Sequence, residues 1–555
     1  MLFRIPPQPC NDSVFSSQLL VLGDPKIEEY ADDEAQGYVD PYATPSFISE
    51  TDYQKLGAKL QQYSDILPQG SQLPSRWSLS VYVEKYLICV QEFLPFIHTA
   101  TFAVVQKDTE LLLAVAALGS LYKFDRPNAY MLYSMAKAIM MEAMRRENLG
   151  LAPDLISGQD HAIWQKRDDS SKMQTLILLL IFSSWGDKRV SLDAMSLGSQ
   201  LAVLVRQNGI SETDEQPDNI DWLSWVAREE RRRTLYAAYV TFNMLSTAFD
   251  VPPLIMNHEI HICLPSFAKR WRARDATQWC DAPRNVERPF RETFLSLFAG
   301  SGISKNGTLS AFSNYILVHA LLQQIFIDRH GSTGLQPGTI DSFETALRTW
   351  KLSWEHTFEA TMDPLVPKGP LGLAGVTLFR LSYIRLSSDY GPCRGVLSRD
   401  PKCILATRPT IRRAPHVDRA VLHATHALAI PMRLGAELMG STKTPVWTTE
   451  HSLCSLECAL LLKDWLEMIA AVSRSGGTEG LRPVERKLLA LLAGIIKEST
   501  FSESLEIQEN DESHILRMTR IIINLWAQIF EGAHLYEIDN FVGTSLQLLA
   551  ESSPN

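Results

Sequence analysis

The residues of this 555-residue chain best equipped for chemistry fall into a few small groups. In EERRR, Glu229 and Glu230 precede Arg231, Arg232 and Arg233, placing two carboxylates beside three guanidinium groups. Such a run can pair with itself, contact phosphate or engage an import receptor. The order of Glu229 and Arg233, acid first and one helical turn apart, favours the internal pair. His258, His261 and Cys263 in NHEIHIC have metal-ligand side chains, as do His451, Cys454 and Cys458, and His423 with His426. His-x-x-His recurs often by chance, and thiols and imidazoles on apolar helix faces are usually packing residues, so no metal is assigned to any of them. His98 has no acid or nucleophile near it in sequence and reads as a hydrogen-bonded structural histidine. GxGxxG after a strand, GxxxxGK[ST], HExxH and GxSxG are all absent from the sequence, so no catalytic residue is assigned and an enzyme is not expected.

The arginine run belongs to an apolar helix. Leu235, Tyr239, Phe242, Leu245 and Phe249 recur at helical spacing, predicting a helix whose charged start is EERRR and whose apolar face is buried. On that reading the macrodipole favours the acids at the helix start. Pro252 and Pro253 cannot continue the helix, so Asp250 to Pro253 is expected to turn the chain toward Leu264 and Pro265. Upstream, Asp108 can cap a helix beginning near Thr109, and Ser171 with Gln174 has the spacing of a capping box. Gly186, and Asn208 with Gly209, supply stops that make an antiparallel helical pair.

These segments resemble the middle region of fungal-specific transcription factors. FLPFIHTATF, with Pro95, His98, Thr101 and Phe102, is similar to the family's opening string, and LLLAVAALGSLY to the small-residue helix after it. MQTLILLLIFSSWGDKRVSLDAMSLGSQLAVLVRQNGI is similar to the central helical hairpin. Glu230, Arg231, Arg232 and Arg233, then Pro252, Leu264 and Pro265, follow the acidic and arginine-rich helix start, proline turn and closing Leu-Pro. The resemblance covers about residues 73 to 266. It implies a nuclear regulator of RNA polymerase II transcription, whose partners are the transcription machinery or another transcription factor, with a small-molecule effector or a homodimer also expected. Family members usually carry a zinc-binding, DNA-contacting module ahead of this region, but ahead of the opening string at Phe93 the chain has only Cys10 and Cys89, where a structural zinc site needs four ligands in close pairs. Zinc is therefore implied only if such a finger is missing from the sequence, and DNA contact is lost, truncated or supplied by a partner. A finger-less protein that acts through another factor, or a helical enzyme of a biosynthetic cluster, are the competing readings.

Composition bounds the rest. A formal net charge of -10 opposes nonspecific binding of naked nucleic acid, and 45% hydrophobic content suffices for a large core. Eight scattered cysteines and an N-terminus without an apolar leader predict reduced thiols. The expected fold is all-α, a large irregular multi-helix bundle with a disordered acidic N-terminal tail. The tail is placed at 1–72, the family core at 73–266, an irregular connection at 267–308 and a C-terminal helical region packed on the core at 309–555. In that last region helical patterns recur near Leu309 to Arg329, Ile340 to Ala360, Leu371 to Ser388, Val417 to Met439, Thr449 to Ser473, Pro483 to Glu498 and Ser513 to Phe530.

Overall fold

The computed structural model describes residues 46–150, 169–214, 219–284, 286–300, 308–357, 369–389, 393–406, 411–434, 448–498, 512–532 and 534–552. Helices of eight residues or more are numbered here. They are α1 Glu50–Gln61, α2 Arg76–Lys85, α3 Thr109–Leu121, α4 Arg126–Gly150, α5 Ser170–Trp185, α6 Asp193–Gln207 and α7 Trp222–Phe249. The series continues with α8 Phe290–Phe298, α9 Ala311–His330, α10 Pro337–His356, α11 Gly369–Ser387 and α12 Pro415–Leu434. It ends with α13 Thr449–Gly476, α14 Pro483–Lys497, α15 Glu512–Ile529 and α16 Glu537–Ser552. Among the described residues the fold is all-α, with no strand; Cys263 and Pro289 form one isolated antiparallel bridge. No helix among the described residues is long and apolar enough to cross a membrane.

One contiguous apolar core runs from α1 to α16, and its centre is crowded because α3, α5 and α7 from Glu229 onward are buried nearly all round. A helix without a polar stripe has to be surrounded. α3 is covered by α2, α4 and α5, and α7 by α5, α6 and α9. Backbones approach closely where a side chain is missing: a Cβ at Gly119 in α3 would stand 1.8 Å from the Tyr82 carbonyl oxygen of α2. The stops expected from sequence are in place. α5 ends at Trp185 before Gly186, and α6 ends at Gln207 before Asn208 and Gly209, whose φ of +76° is open to glycine at no steric cost. Asp250 closes α7 with φ +52°, a left-handed cap that an aspartate tolerates better than most residues.

Several boundaries differ from expectation for identifiable reasons. Residues 1–45 of the acidic tail lie outside the described residues, but its remainder is not a tail. Ser49 caps α1 by accepting from the Asp52 amide, and Leu56 and Leu60 are buried against the core. Ser171 and Gln174 do not form a capping box, because the N-cap of α5 is Asp169, two residues before Ser171. The Gln174 amide instead donates to Glu230 at 3.1 Å and to Thr234 at 3.3 Å. Asp108 holds the N-cap position of α3, although its side chain makes no capping bond. The stretch 267–308 carries α8 and two short helices, Ala268–Trp271 and Ala276–Asp281.

Candidate functional site

The arginine run is not at a helix start. α7 begins at Trp222, where Asp221 accepts from the Ser224 amide at 3.0 Å, so Glu229 lies about two turns into the helix, deep in the fold. The macrodipole explanation for these acids is thereby replaced by direct pairing, since dipole effects fade within the first turn. The helix was read as starting late because its opening turns, Trp222 to Arg228, mix tryptophans with polar residues and show no clean period.

Glu229 is the hub. Its side chain and that of Arg233 are each 1% exposed, and Arg232 is 2% exposed. Glu229 Oε1 accepts from Arg233 Nε at 2.8 Å and from the Ser266 amide at 2.8 Å, while Oε2 accepts from Arg232 Nη1 at 3.3 Å. Arg232 also donates to Asp214 Oδ2 at 2.6 Å and to Glu287 Oε1 at 2.9 Å. Asp214 in turn accepts from the Cys263 amide at 2.7 Å, and Arg228 pairs with Glu287 at 3.3 Å. Burial works against the Arg232 charge, but the three carboxylates outweigh it and raise its pKa. Burial, with Asp214 close by, pushes the Cys263 thiol up to about 12, so this cysteine is a neutral packing residue rather than a nucleophile.

The same network holds the opening string against the closing one. Arg233 donates to the Pro95 carbonyl at 3.2 Å and to the Ser266 carbonyl at 2.6 Å, which pins the chain just before His98 to the chain just after Pro265. The His98 amide donates to Glu230 at 3.3 Å, and its ring Nδ1 lies 2.9 Å from the Thr101 hydroxyl. The imidazole packs edge-on to Trp271 with centroids 4.7 Å apart. Burial, aided by the Arg233 charge, holds the His98 pKa down at about 4 against the opposing Trp271 and Ala273 backbone, so the ring is neutral near pH 7. Phe102 is buried in the core. Leu264 donates its amide to the Arg288 carbonyl at 2.8 Å, and the Pro265 carbonyl accepts from the Ser310 and Ser313 hydroxyls at 3.1 Å each, tying α9 to the same knot. Arg231 reaches the Asn208 carbonyl at the end of α6. Of the residues that carry the family resemblance, Pro252 is the one that is exposed, in the turn after α7.

Beside the knot stands a second apolar cluster of Trp225, Val226, Trp271, Ala273 and Trp279. Arg270, 4% exposed, has its guanidinium 4.3 Å from the centroid of the Trp279 ring and 5.2 Å from that of Trp225. Burial depresses its pKa, and ring faces supply much of its favourable electrostatics. Asp214, Glu287 and Ser266 were not foreseen, because each lies outside the helix that carries EERRR and none has a local period; in the tryptophan cluster, Trp271 and Trp279 come from later segments that meet Trp225 of α7 only on folding. The histidine and cysteine groups do not form a metal site: among the described residues no three such side chains are placed to hold an ion. His258 is exposed, His261 Nδ1 lies 2.7 Å from the Ser211 carbonyl, and Cys454 and Cys458 face each other at 3.8 Å inside α13. His451 Nδ1 lies 2.8 Å from the Thr448 hydroxyl, and the half-buried His423 packs beside Phe379 and Tyr383.

What the arrangement does chemically is hold four distant segments in one register; it offers no acid–base pair or nucleophile open to a substrate. A cleft beside it, about 470 Å³ and open to solvent, is lined by Glu92, Pro95, Arg233, Trp271, Arg272 and Phe312 among others. No curated protein and no solved structure matches the chain significantly. Family models do match: residues 83–352 match the fungal specific transcription factor domain, and residues 389–548 the fungal transcription factor C-terminal domain, while no zinc-cluster domain is detected in the chain. The chain therefore belongs to the fungal-specific transcription factor family, and its arginine knot lies within the first of the two matched domains.

Proposed function

We propose that the protein is a nuclear regulator of RNA polymerase II transcription whose helical unit does not itself contact DNA. The two family matches support a transcription-regulator role. The observation that carries the rest is the fate of the arginines. Arg232 and Arg233 are consumed by buried carboxylates and carbonyls, and Arg231 by a helix end, so the longest unbroken run of arginines in the chain is turned inward. Together with the formal net charge of -10, this leaves the unit poorly suited to neutralising phosphates. DNA contact is then made outside the unit, by a zinc-binding module or by a partner factor, and zinc enters only through such a module.

The test is a pair of measurements in fungal cells. The chain fused to a heterologous DNA-binding domain is expected to change transcription from a tethered reporter, and the purified chain is expected to leave duplex DNA unshifted in about 0.15 M salt, where nonspecific complexes are already weakened. A reporter indifferent to the tethered chain, or tight DNA binding by the unit alone, overturns the reading. A second reading, an interaction regulator acting only through another factor, is favoured over the first if nuclear accumulation of a fluorescent fusion depends on that factor.

A further inference from the structure

Arg272 and Arg274 stand five and three residues before Thr277 in RARDAT, and no other serine or threonine of the chain has arginines at both of those positions. Arginines at this spacing fit kinases whose substrate groove offers carboxylates to guanidinium groups, where charge pattern selects the substrate. Similar patterns elsewhere are closed by the fold: Thr234, three residues after Arg231, and Ser388, three after Arg385, are both buried. Thr277 is open. Residues 274 to 278 are exposed in succession, between the buried Trp271 and Ala273 on one side and Trp279 on the other. The Thr277 hydroxyl makes no hydrogen bond among the described residues. Arg272 closes one short helix, and the helix Ala276–Asp281 that carries Thr277 has only six residues. A helix this short is marginal alone, so the segment from Arg272 to Gln278 can extend into a kinase groove by local opening while the main core stays folded.

The surroundings favour an added anion. Lys269, Arg274 and Arg284 are exposed and have no ion pair among the described residues. Arg270 behind them is buried, and its Nη1 has no hydrogen-bond acceptor. Burial first, and then the like charge of Arg284, lower the Arg270 pKa. Arg272 alone of the five is paired, with Glu92 at 2.6 Å. Between residues 269 and 284 these five cations face only the carboxylates Asp275 and Asp281, in a chain whose formal net charge is -10. We propose that Thr277 is a phosphorylation site for a serine/threonine kinase that selects arginine at these two positions, with ATP as the phosphoryl donor. The Thr277 Oγ1 bonds to the γ-phosphorus of ATP as the bond from that phosphorus to the ADP oxygen breaks; ADP leaves, and the hydroxyl proton passes to the kinase's catalytic carboxylate. The product carries about -1.5 to -2 charge at pH 7, which offsets most of the local surplus and gives Arg274 a phosphate partner.

The inference stands independently of the DNA question. The experiment uses the purified full chain, magnesium ATP and the catalytic domain of protein kinase B, which requires arginine at both positions. Trypsin cleaves after Arg274 and Arg284, and in the peptide between them Thr277 is the only hydroxyl-bearing residue, so mass spectrometry assigns the phosphate directly. Phosphate is expected on Thr277 at least about tenfold faster than on Ser332, an exposed serine that follows Arg329 by three residues but has Ile327 at the fifth position before it. Arg274→Gln is expected to slow the Thr277 reaction at least about tenfold, and Thr277→Ser to retain it. Both positions are exposed, so an unchanged melting curve checks the fold of each variant. In low salt the phosphorylated chain is expected to melt at least as high as the unmodified one, and in about 1 M salt, where the Debye length is about 3 Å, the two are expected to converge. No phosphate on Thr277, a rate indifferent to Arg274→Gln, Ser332 labelled as fast as Thr277, or a melting temperature lowered by phosphorylation each overturn the inference.

Discussion

The two matched domains each contain an arginine–carboxylate network, and they use it differently. In the first, Glu229, Arg232 and Arg233 are almost entirely buried on one helix and reach Asp214, Ser266, Pro95 and Glu287. In the second, Glu485 at the start of α14 is fully buried, yet its partners Arg413 and Arg482 are 32% and 33% exposed, and Arg482 extends the network to Asp418 at 2.7 Å. Water screens the second set and cannot reach most of the first. The difference teaches that the inner network fixes which segments meet, while the outer one fastens elements that apolar packing already brings together.

The sharpest way to break the comparison is Glu229→Ala. It leaves Arg232 and Arg233 buried beside an empty hub and removes an acceptor from the Ser266 amide. Removing one partner of a buried pair is expected to cost about 3 to 5 kcal/mol, read by urea or thermal unfolding. A loss below about 1 kcal/mol would show that water reaches the knot. Phe242→Ala, 1% exposed in the same helix, is expected to cost a similar 3 to 5 kcal/mol by cavity formation. The triple change of Arg231, Arg232 and Arg233 to Gln is expected to lower stability without a selective effect on promoter occupancy. Normal stability with lost occupancy would reverse the assignment of these residues.

His98 sharpens the same contrast through pH. Its folded pKa of about 4 lies below the ordinary histidine value of about 6.5, so protonation favours unfolding. The neutral ring contributes its full stability above about pH 6.5, and that contribution is lost as pH falls toward 4, amounting to about 3 kcal/mol. His319, fully buried and with its pKa held near 3 by burial, adds its own acid lability. The informative quantity is therefore the difference between the wild type and His98→Gln, which is expected to narrow by that amount over this window. A constant difference would mean that His98 is not buried neutral.

Much of this architecture was legible in the sequence, and the parts that were not share a cause. α5, α6 and α9 to α15 have apolar periods bounded by Pro, Gly or capping residues, and their limits fall close to those expected. α4 escaped notice because Arg126–Gly150 mixes alanine, methionine and charge without a strong stripe, and α1 because acidic composition concealed Leu56 and Leu60. The knot was half legible. Local spacing disclosed the Glu229–Arg233 pair, whereas Asp214, Ser266 and Glu287 are joined to it only by tertiary folding. Local spacing also suggested ligand sets at NHEIHIC and in α13; the fold buries Cys263, Cys454 and Cys458 and leaves His258 exposed.

Glu485→Gln tests the outer network. Burial raises the Glu485 pKa, but Arg413 and Arg482 outweigh it and hold it at about 2, so its stabilisation is present above the ordinary carboxylate range and is lost as pH falls toward 2. The amide keeps part of the hydrogen bonding and loses the charge, for an expected cost of about 1 to 2 kcal/mol that shrinks with added salt. A loss as large as that of Glu229→Ala would erase the distinction between the two domains.

The smallest expected effect separates a helix start from a helix core within α7 itself. Asp221 caps the helix through the Ser224 amide and is exposed, so Asp221→Ala removes one capping bond and one favourable dipole contact. The expected cost is about 1 kcal/mol, measured by thermal unfolding, with partial loss in high salt. Glu229, about two turns along, carries its larger cost through Arg232, Arg233 and Ser266 rather than through the dipole, and salt is expected to leave that cost nearly unchanged. Equal salt dependence of the two variants would place both acids at the water boundary; a ratio of about three or more in cost, with salt affecting Asp221 alone, assigns the knot to the interior of the fold.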